Sequence, residues 1–513
     1  MRSRQDGANN RKHTSSALIT NIMLKKLFTE LIDVRKGERG KALAMSLFFF
    51  LAMATFWALK PMKRGLFISY HKENALELLG AHFGGAQAEQ LAKVVNVFAA
   101  LLFAMAFSYI TRRVAPRYII PLFCLLFTLA FIGYAGVVSN PGIWTVWSFY
   151  VFGDMYNTLM LTLFWTLMNN SVEVNSAKRL YGIVGLGGVT GGLVGATLVR
   201  SSVTMFGREM VLLSCILPTI VIAVIGFMFA RRMENKQVNS AHRVNSSDER
   251  HDVASRFRAS GGSALSGLRL LASSKYLLAI CLLVAFYEIA SSIIDFQLSA
   301  MVERNITGGL ARDQYFGFVA QVQGAASILV QLFLTSFVMR RFGVGHALLA
   351  LPVVILLGSV GFLLVPTLGF VTLMSVSDNS MNYSINQSAK ETLYVPTTAE
   401  EKYQAKAFID MFVQRSAKVV AVGLNLGLVA FVSIEQVRWL SVASILTLAL
   451  WIGVIRFAGR RFDRLAGTRV ANVGEATPTR SYEPTTHGAT NRPRTKRATT
   501  SPLHASYCKQ RAA

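Results

Sequence analysis

Long apolar runs constrain this chain more than any other feature. Residues 42–59, 118–138 and 210–230 are almost wholly hydrophobic, and roughly 20 such residues in helix cross the hydrocarbon core of a bilayer. A soluble chain of this size shows shorter runs and clearer polar faces. Composition agrees: 52% of the 513 residues are hydrophobic and 16% charged, against about a quarter charged in soluble domains. Candidate spans fall at 42–68, 91–111, 118–138, 143–168, 180–200, 210–231, 276–300, 315–338, 345–365, 367–389, 406–433 and 437–457. The expectation is an all-α polytopic membrane protein of about twelve transmembrane helices.

The polar remainder divides the chain. Residues 1–41 read as a basic cytoplasmic N-terminal segment, 42–231 as an N-terminal six-helix half and 232–275 as a cytoplasmic linker loop. Residues 276–457 read as a C-terminal six-helix half and 458–513 as a basic, largely disordered tail rich in Thr, Arg, Pro and Ser. A net charge of +26 in a soluble protein points to nucleic acid. Here the charge sits in loops and tails, so no nucleic-acid partner is expected; the basic segments face anionic lipid on the cytoplasmic side. With both termini inside, the cytoplasmic loops hold Arg112 and Arg113, Lys178 and Arg179, Arg340 and Arg341, then Lys390 and Lys402. One external stretch, 60–90, breaks the pattern with Lys60, Lys63, Arg64 and Lys72. The N-terminus carries no signal-peptide pattern, and a bacterial inner (cell) membrane is the expected location. The four cysteines show no CxxC spacing, so neither a metal site nor a disulfide framework is expected.

An internal repeat appears at an offset of 228 residues. SYITRRV from Ser108 falls on SFVMRRF from Ser336, Lys178 on Lys406 and Lys60 on Glu288. This is the parallel repeat of major-facilitator-type transporters, two pseudo-symmetric halves with substrate bound between them. Chance similarity of apolar segments is the rival explanation.

Charges inside spans are costly, about 2.5–3.5 kcal/mol each on insertion scales, and usually mark function. Lys60, Lys63, Asp154, Glu288, Asp295, Asp378, Asp410, Arg415 and Lys418 lie in or at the ends of spans. Lys93 and Asp410, near span ends, are expected to snorkel to the interface, and Lys63 and Arg64 also fit external flanks. Asp154, Glu288 and Lys418 lie in continuous spans and are expected to face a cavity, with acid–base pairing in the empty state. Tyr156 and Asn157 in span 4, and Asn382 and Tyr383 in the polar run SVSDNSMNYSINQS, are expected to line it. Aromatic rings such as Tyr156, Tyr287 and Tyr383 suit a base but more often pack a core or anchor at an interface. The run GIVGLGGVTGGLVGA, 182–196, follows no strand and lacks GK[ST], so it reads as a helix-packing face and not a phosphate loop. No catalytic constellation and no cofactor site are evident, so an enzyme ranks last.

The stretch KETLYVPTTAEEKYQAKAFIDMFVQRSAK, 390–418, is the most distinctive. It resembles the nucleotide transporter family, the ATP/ADP translocases of plastids and obligate intracellular bacteria, with Lys390, Glu391, Tyr394, Pro396, Lys402, Lys406, Ala407, Asp410 and Lys418 at matching positions. LKPMKRGLFIS (59–69), GDMYNTLMLTLFWTLMN (153–169) and SAKRLYGIVGLG (176–187) are similar to further family segments, with Asp154 where members usually have Glu. Departures are Arg64, where the family has Asp, and Ser291 and Ser292, where it has basic residues. The resemblance implies a major-facilitator-like fold and nucleotide exchange, with Lys63, Asp154, Glu288 and Lys418 contributing to transport.

The expected function is an antiporter of nucleotides or related organic anions working by alternating access. Binding residues are expected at Lys60, Lys63, Asp154, Tyr156, Asn157, Glu288, Asn382, Tyr383, Lys390, Arg415 and Lys418. Structural or gating residues are expected at Arg112, Arg113, Lys178, Arg179, Arg340, Arg341, Lys406 and Asp410. A major-facilitator carrier of another solute, proton-coupled through Asp154 and Glu288, is the first alternative; a membrane scaffold or sensor is the second. The partner is a small anionic molecule, and the sequence is compatible with a monomer.

Overall fold

A computed structural model describes residues 38–78, 80–171, 174–241, 274–397, 406, 408–432 and 434–475. The long apolar runs form long helices: α1 (Arg39–Glu73), α2 (Gly85–Arg113), α3 (Pro116–Val137), α4 (Ile143–Ser171), α5 (Val174–Ser214) and α6 (Ile216–Ala241). After the linker come α7 (Lys275–Asn305), α8 (Gly309–Leu329) and α9 (Ser336–Leu364). A polar rod follows, built from α10 (Leu368–Met381), a π-helical turn Asn382–Asn386 and α11 (Gln387–Leu393). Another π-turn, Ile409–Val413, leads into α12 (Gln414–Val432), and α13 (Leu440–Glu475) closes the described chain. Between α1 and α2 a short antiparallel hairpin pairs β1 (Leu76–Leu78) with β2 (Ala81–Phe83).

Local chemistry sets the ends. Pro116 opens α3, where its missing N–H costs nothing. Ser274 caps α7 by accepting from Leu277 N at 3.4 Å, and Thr367 caps α10 by accepting from Phe370 N at 3.3 Å. Gly207 in α5 and Gly343 in α9 take left-handed backbone, φ 77° and 78°, and each interrupts its helix as glycine readily does.

Among the described residues, eight helical runs are long and apolar enough to cross a membrane by length and composition. That count falls short of the twelve spans expected, for two physical reasons. The run Ile183–Arg232 is continuous in composition although Gly207 breaks its backbone. And α4, the α10–α11 rod and α12 do not qualify among the described residues, α4 and the rod carrying many polar side chains.

The apolar core falls into two clusters. One draws on Ala42 to Phe229; the other on Tyr276 to Ile455, joined by Ile68 and Ala86 from the hairpin ends of α1 and α2. Contacts also separate the chain into two units, Met1–Ala466 and Gly467–Ala513; the second is helical as far as Glu475. The glycine run packs α5 against α1. A β-carbon at Gly191 would land on the Phe50 carbonyl oxygen, and one at Gly195 on that of Ala54. Backbone contact this close needs glycine.

Gly191→Ala and Gly195→Ala are each expected to destabilise the protein by about 1–3 kcal/mol through overpacking, read as a lower Tm in detergent. Gly185→Ala on the same helix has open space and is expected to leave Tm unchanged or raise it.

Candidate functional site

Lys60, Lys63 and Arg64 of α1 flank Pro61, which removes a helical hydrogen bond at that level. They are not in an external loop. α1 runs to Glu73, so Lys60, Lys63 and Arg64 are helical, and the true connection 74–84 contains no Lys or Arg. Lys72, the fourth basic residue of the 60–90 stretch, lies in the last turn of α1.

Arg64 is the hub. Its Nε lies 3.1 Å from Glu89 Oε1 on α2, and its Nη1 lies 2.8 Å from Asp295 Oδ1 on α7. Nη2 donates to the Asp295 carbonyl at 2.6 Å and to Ser299 Oγ at 2.5 Å. The guanidinium also sits 4.6 Å from the Phe316 ring centroid of α8. Glu89 is 1% exposed and receives Tyr150 Oη at 3.4 Å as well as the Ser299 hydroxyl. Lys93, one turn beyond Glu89, pairs with Asp295 Oδ2 at 2.5 Å. It does not snorkel to an interface as its sequence position suggested: a fixed carboxylate at the same depth is the better partner.

Lys63 is buried, pairs with Asp154 of α4 and lies 4.3 Å over the Tyr150 ring. Asn96 donates to the other Asp154 oxygen. Lys60 lies 4.5 Å over Trp57 and within electrostatic reach of Asp295 and Asp154. Four cations and three carboxylates from α1, α2, α4 and α7 therefore share one site, with Lys63 and Glu89 buried and the rest half-buried.

A second group lies two turns earlier on α7. Glu288, 5% exposed, accepts from Gln414 Nε2 at 2.6 Å and lies 3.6 Å from Lys418 Nζ. Asp378 of α10, 1% exposed, accepts from Ser291 Oγ at 2.6 Å, and its other oxygen has no hydrogen-bond partner. Asn425 of α12 ties α2 to α7, donating to Gln90 Oε1 and the Ser292 carbonyl, both at 3.3 Å.

Other expected site residues are placed as follows. Tyr156 is fully buried in the aromatic core, 4.9 Å from Phe127 and 5.8 Å from Phe131. Asn157, Asn382, Lys390 and Arg415 are half-buried. Arg112, Arg113 and Arg341 are exposed, Arg113 resting 4.8 Å from the Tyr109 ring. Lys406 pairs with Glu391 at 2.5 Å. The side chains of Lys178, Arg179, Arg340, Tyr383 and Asp410, and all of Lys402, lie outside the described residues. Sequence reasoning left Arg64, Glu89, Lys93 and Asp295 out of the binding set. Two signals pointed to them: the i,i+4 pair Glu89–Lys93, and Asp295 seven residues after Glu288, on the same helix face.

Cross-half contacts continue from this cluster towards the hairpin end. Glu303 of α7 caps the N-terminus of α2, accepting from Gly85 N at 3.0 Å and Ala86 N at 2.6 Å. A carboxylate suits the positive end of a helix dipole. Lys72 Nζ donates to the Glu303 carbonyl at 2.6 Å, Arg312 Nη1 to Ser69 Oγ at 2.9 Å and Arg208 Nε to Asp313 Oδ2 at 2.5 Å. The two sets of helices are fastened together at that end.

Long apolar helices around a two-signed charge cluster fit a major-facilitator-like fold. The TLC ATP/ADP transporter family model matches residues 93–376 and 363–462, and the chain belongs to this family. ADP,ATP carrier protein 1 of Chlamydia pneumoniae is 25% identical over 489 residues, covering 83% of this chain and 92% of the relative. The plastidic ATP/ADP-transporter of Solanum tuberosum is 22% identical, covering 54% and 47%. Among solved structures, the nucleoside transporter NupG superposes with a TM-score of 0.55 at 11% identity over 82% of this chain and 98% of its own. A POT peptide transporter bound to sulfate reaches 0.53 at 12% identity over 82% and 95%. Likeness at these identities carries the fold alone.

Removing one partner of a buried ion pair strands the other, at a cost of about 3–5 kcal/mol. Arg64→Ala and Glu89→Ala are each expected to lose stability on that scale, and the double variant less than their sum by at least about 1 kcal/mol. Unfolding midpoints of the four proteins check this; additive losses would contradict the pairing.

Proposed function

We propose that this chain exchanges nucleotides across a membrane by alternating access. The carrying observation is the cluster of Lys60, Lys63, Arg64 and Lys93, the last three of which pair with carboxylates from helices on both sides of the linker. Phosphates carry several negative charges, and guanidinium or ammonium donors in a low-dielectric site bind them strongly. Asp295, Glu89 and Asp154 occupy, in the empty site, the positions that phosphate oxygens take when cargo arrives. Cargo then exchanges one set of charge-assisted hydrogen bonds for another, and the empty carrier re-forms its own pairs and is held by them until new cargo breaks them.

That requirement suits obligatory exchange. A carrier that has lost its anion on one side leaves Lys63, Arg64 and Lys93 to their carboxylates, and reorientation without cargo has to break the contacts that hold the halves together. The contacts around Glu303 fasten the hairpin end. With both termini in the cytoplasm, as the distribution of Lys and Arg suggests, that end is the external one and the cavity faces inward. The cell membrane of a bacterium is the location that fits this orientation. The ADP,ATP carriers to which the chain is related support ATP and ADP as the cargo.

Proteoliposomes test the reading. Uptake of labelled ATP is expected only when ADP or ATP is loaded inside, and Lys63→Ala or Arg64→Ala is expected to lower its initial rate at least tenfold, a transition-state loss of about 1.4 kcal/mol or more. A folded wild-type protein that exchanges no nucleotide would overturn it.

A further inference from the structure

A small pocket lies between α7, the α10–α11 rod and α12, apart from the basic cluster. Leu283 and Val284, both buried, and Tyr287 give it an apolar wall. Asn382, Asn386, Gln387 and Gln414 give it an amide wall, and Lys390 adds a cation. Both helices that supply the amides contain a π-turn at this level, Asn382–Asn386 and Ile409–Val413. Such single-turn distortions are frequent at functional sites.

The amides are not evenly satisfied. Asn386 Nδ2 donates to Asn382 Oδ1 at 2.9 Å, whereas Asn386 Oδ1, on a side chain 3% exposed, has no hydrogen-bond partner. A buried acceptor left unpaired costs about 1–3 kcal/mol, so a ligand presenting an N–H donor is favoured there. Gln414 is held by Glu288. The complementary ligand is planar and largely apolar, with N–H groups on its edge and an acceptor for Lys390.

Helix α7 connects this cavity to the cation cluster. Val284, Glu288, Ser291 and Asp295 follow i, i+4, i+7, i+11 spacing along one face. From Tyr287 at the cavity to Asp295 at Arg64 and Lys93 is eight residues, about 12 Å of helix rise at 1.5 Å per residue. Ribose and a phosphate chain bridge a gap of that order.

We infer that the cavity lined by Tyr287, Asn386 and Gln414 is the nucleobase subsite, with Asn386 Oδ1 accepting an N–H from the base while the phosphates reach the cations of α1 and α2. This subsite rests on the nucleotide-exchange reading. It assigns selectivity among nucleotides to the α7–α10–α12 side and charge recognition to the α1–α2 side.

Competition against labelled ATP in proteoliposomes tests it, using ATP, GTP, CTP, UTP and base-free tripolyphosphate. For the wild type, half-inhibition is expected to spread at least tenfold among the bases, with tripolyphosphate at least tenfold weaker than the best nucleotide, about 1.4 kcal/mol. Asn386→Leu is expected to compress the spread to within about threefold and keep tripolyphosphate competition. Val284→Phe, which fills the cavity, is expected to weaken every nucleotide towards the tripolyphosphate value, and it decides the matter should Asn386→Leu fail to fold. Nucleotide exchange that persists with the wild-type base ranking in either folded variant overturns the subsite and leaves the exchange reading intact. A wild type competed by tripolyphosphate but by no nucleotide overturns both.

Discussion

Arg64 cannot be placed in the interior of a membrane protein without its partners, and the arrangement of the site follows from that constraint. An uncompensated guanidinium at such depth carries a desolvation cost of several kcal/mol. Here the cost is met by Glu89, Asp295 and Ser299 together. Those partners come from α2 and α7, so satisfying one cation docks elements from both sides of the linker. Lys93 and Lys63 extend the same logic through Asp295 and Asp154. The cluster is at once what holds the resting protein together and what an anion must reorganise.

This dual use explains why the acids and bases are nearly balanced. Cations alone would bind an anion tightly and release it slowly. On the exchange reading, the carboxylates paired with Lys63, Arg64 and Lys93 compete with the cargo, limit its affinity and give these cations a partner after release. The contacts at the hairpin end serve the other requirement of a carrier, closing one side while the other is open. Glu303 on the α2 N-terminus, Arg312 on Ser69 and Arg208 on Asp313 are polar and therefore reversible, unlike a sealed apolar interface.

Much of this was legible in the sequence. Apolar run length gave the helical membrane class, and the 182–196 glycines gave the α1–α5 contact. Intramembrane charge gave Lys63, Asp154, Glu288 and Lys418, and the 390–418 segment pointed to the family. What was not legible had physical causes. Glu89 was hidden because hydropathy starts α2 too late: its first turn is polar, yet it is helical from Gly85. Arg64 was ambiguous because a charge near a span end either snorkels or pairs, and only the distance to Asp295, 231 residues away, decides between them. Apolarity alone picks out fewer runs among the described residues because helices such as α4 and the α10–α11 rod carry many polar side chains. The orphaned Asn386 acceptor has no sequence signature, since it depends on which neighbour its amide faces.

The central claim is that carboxylates in the empty site hold the places of phosphate oxygens. Asp295→Asn removes the carboxylate that occupies Lys93 and shares Arg64, while preserving shape. Isothermal titration of the purified protein with ATP measures the consequence. If Asp295 competes with cargo, the Asn variant binds ATP at least tenfold more tightly than wild type, about 1.4 kcal/mol. An unchanged or weaker Kd in a folded Asn variant would contradict the account.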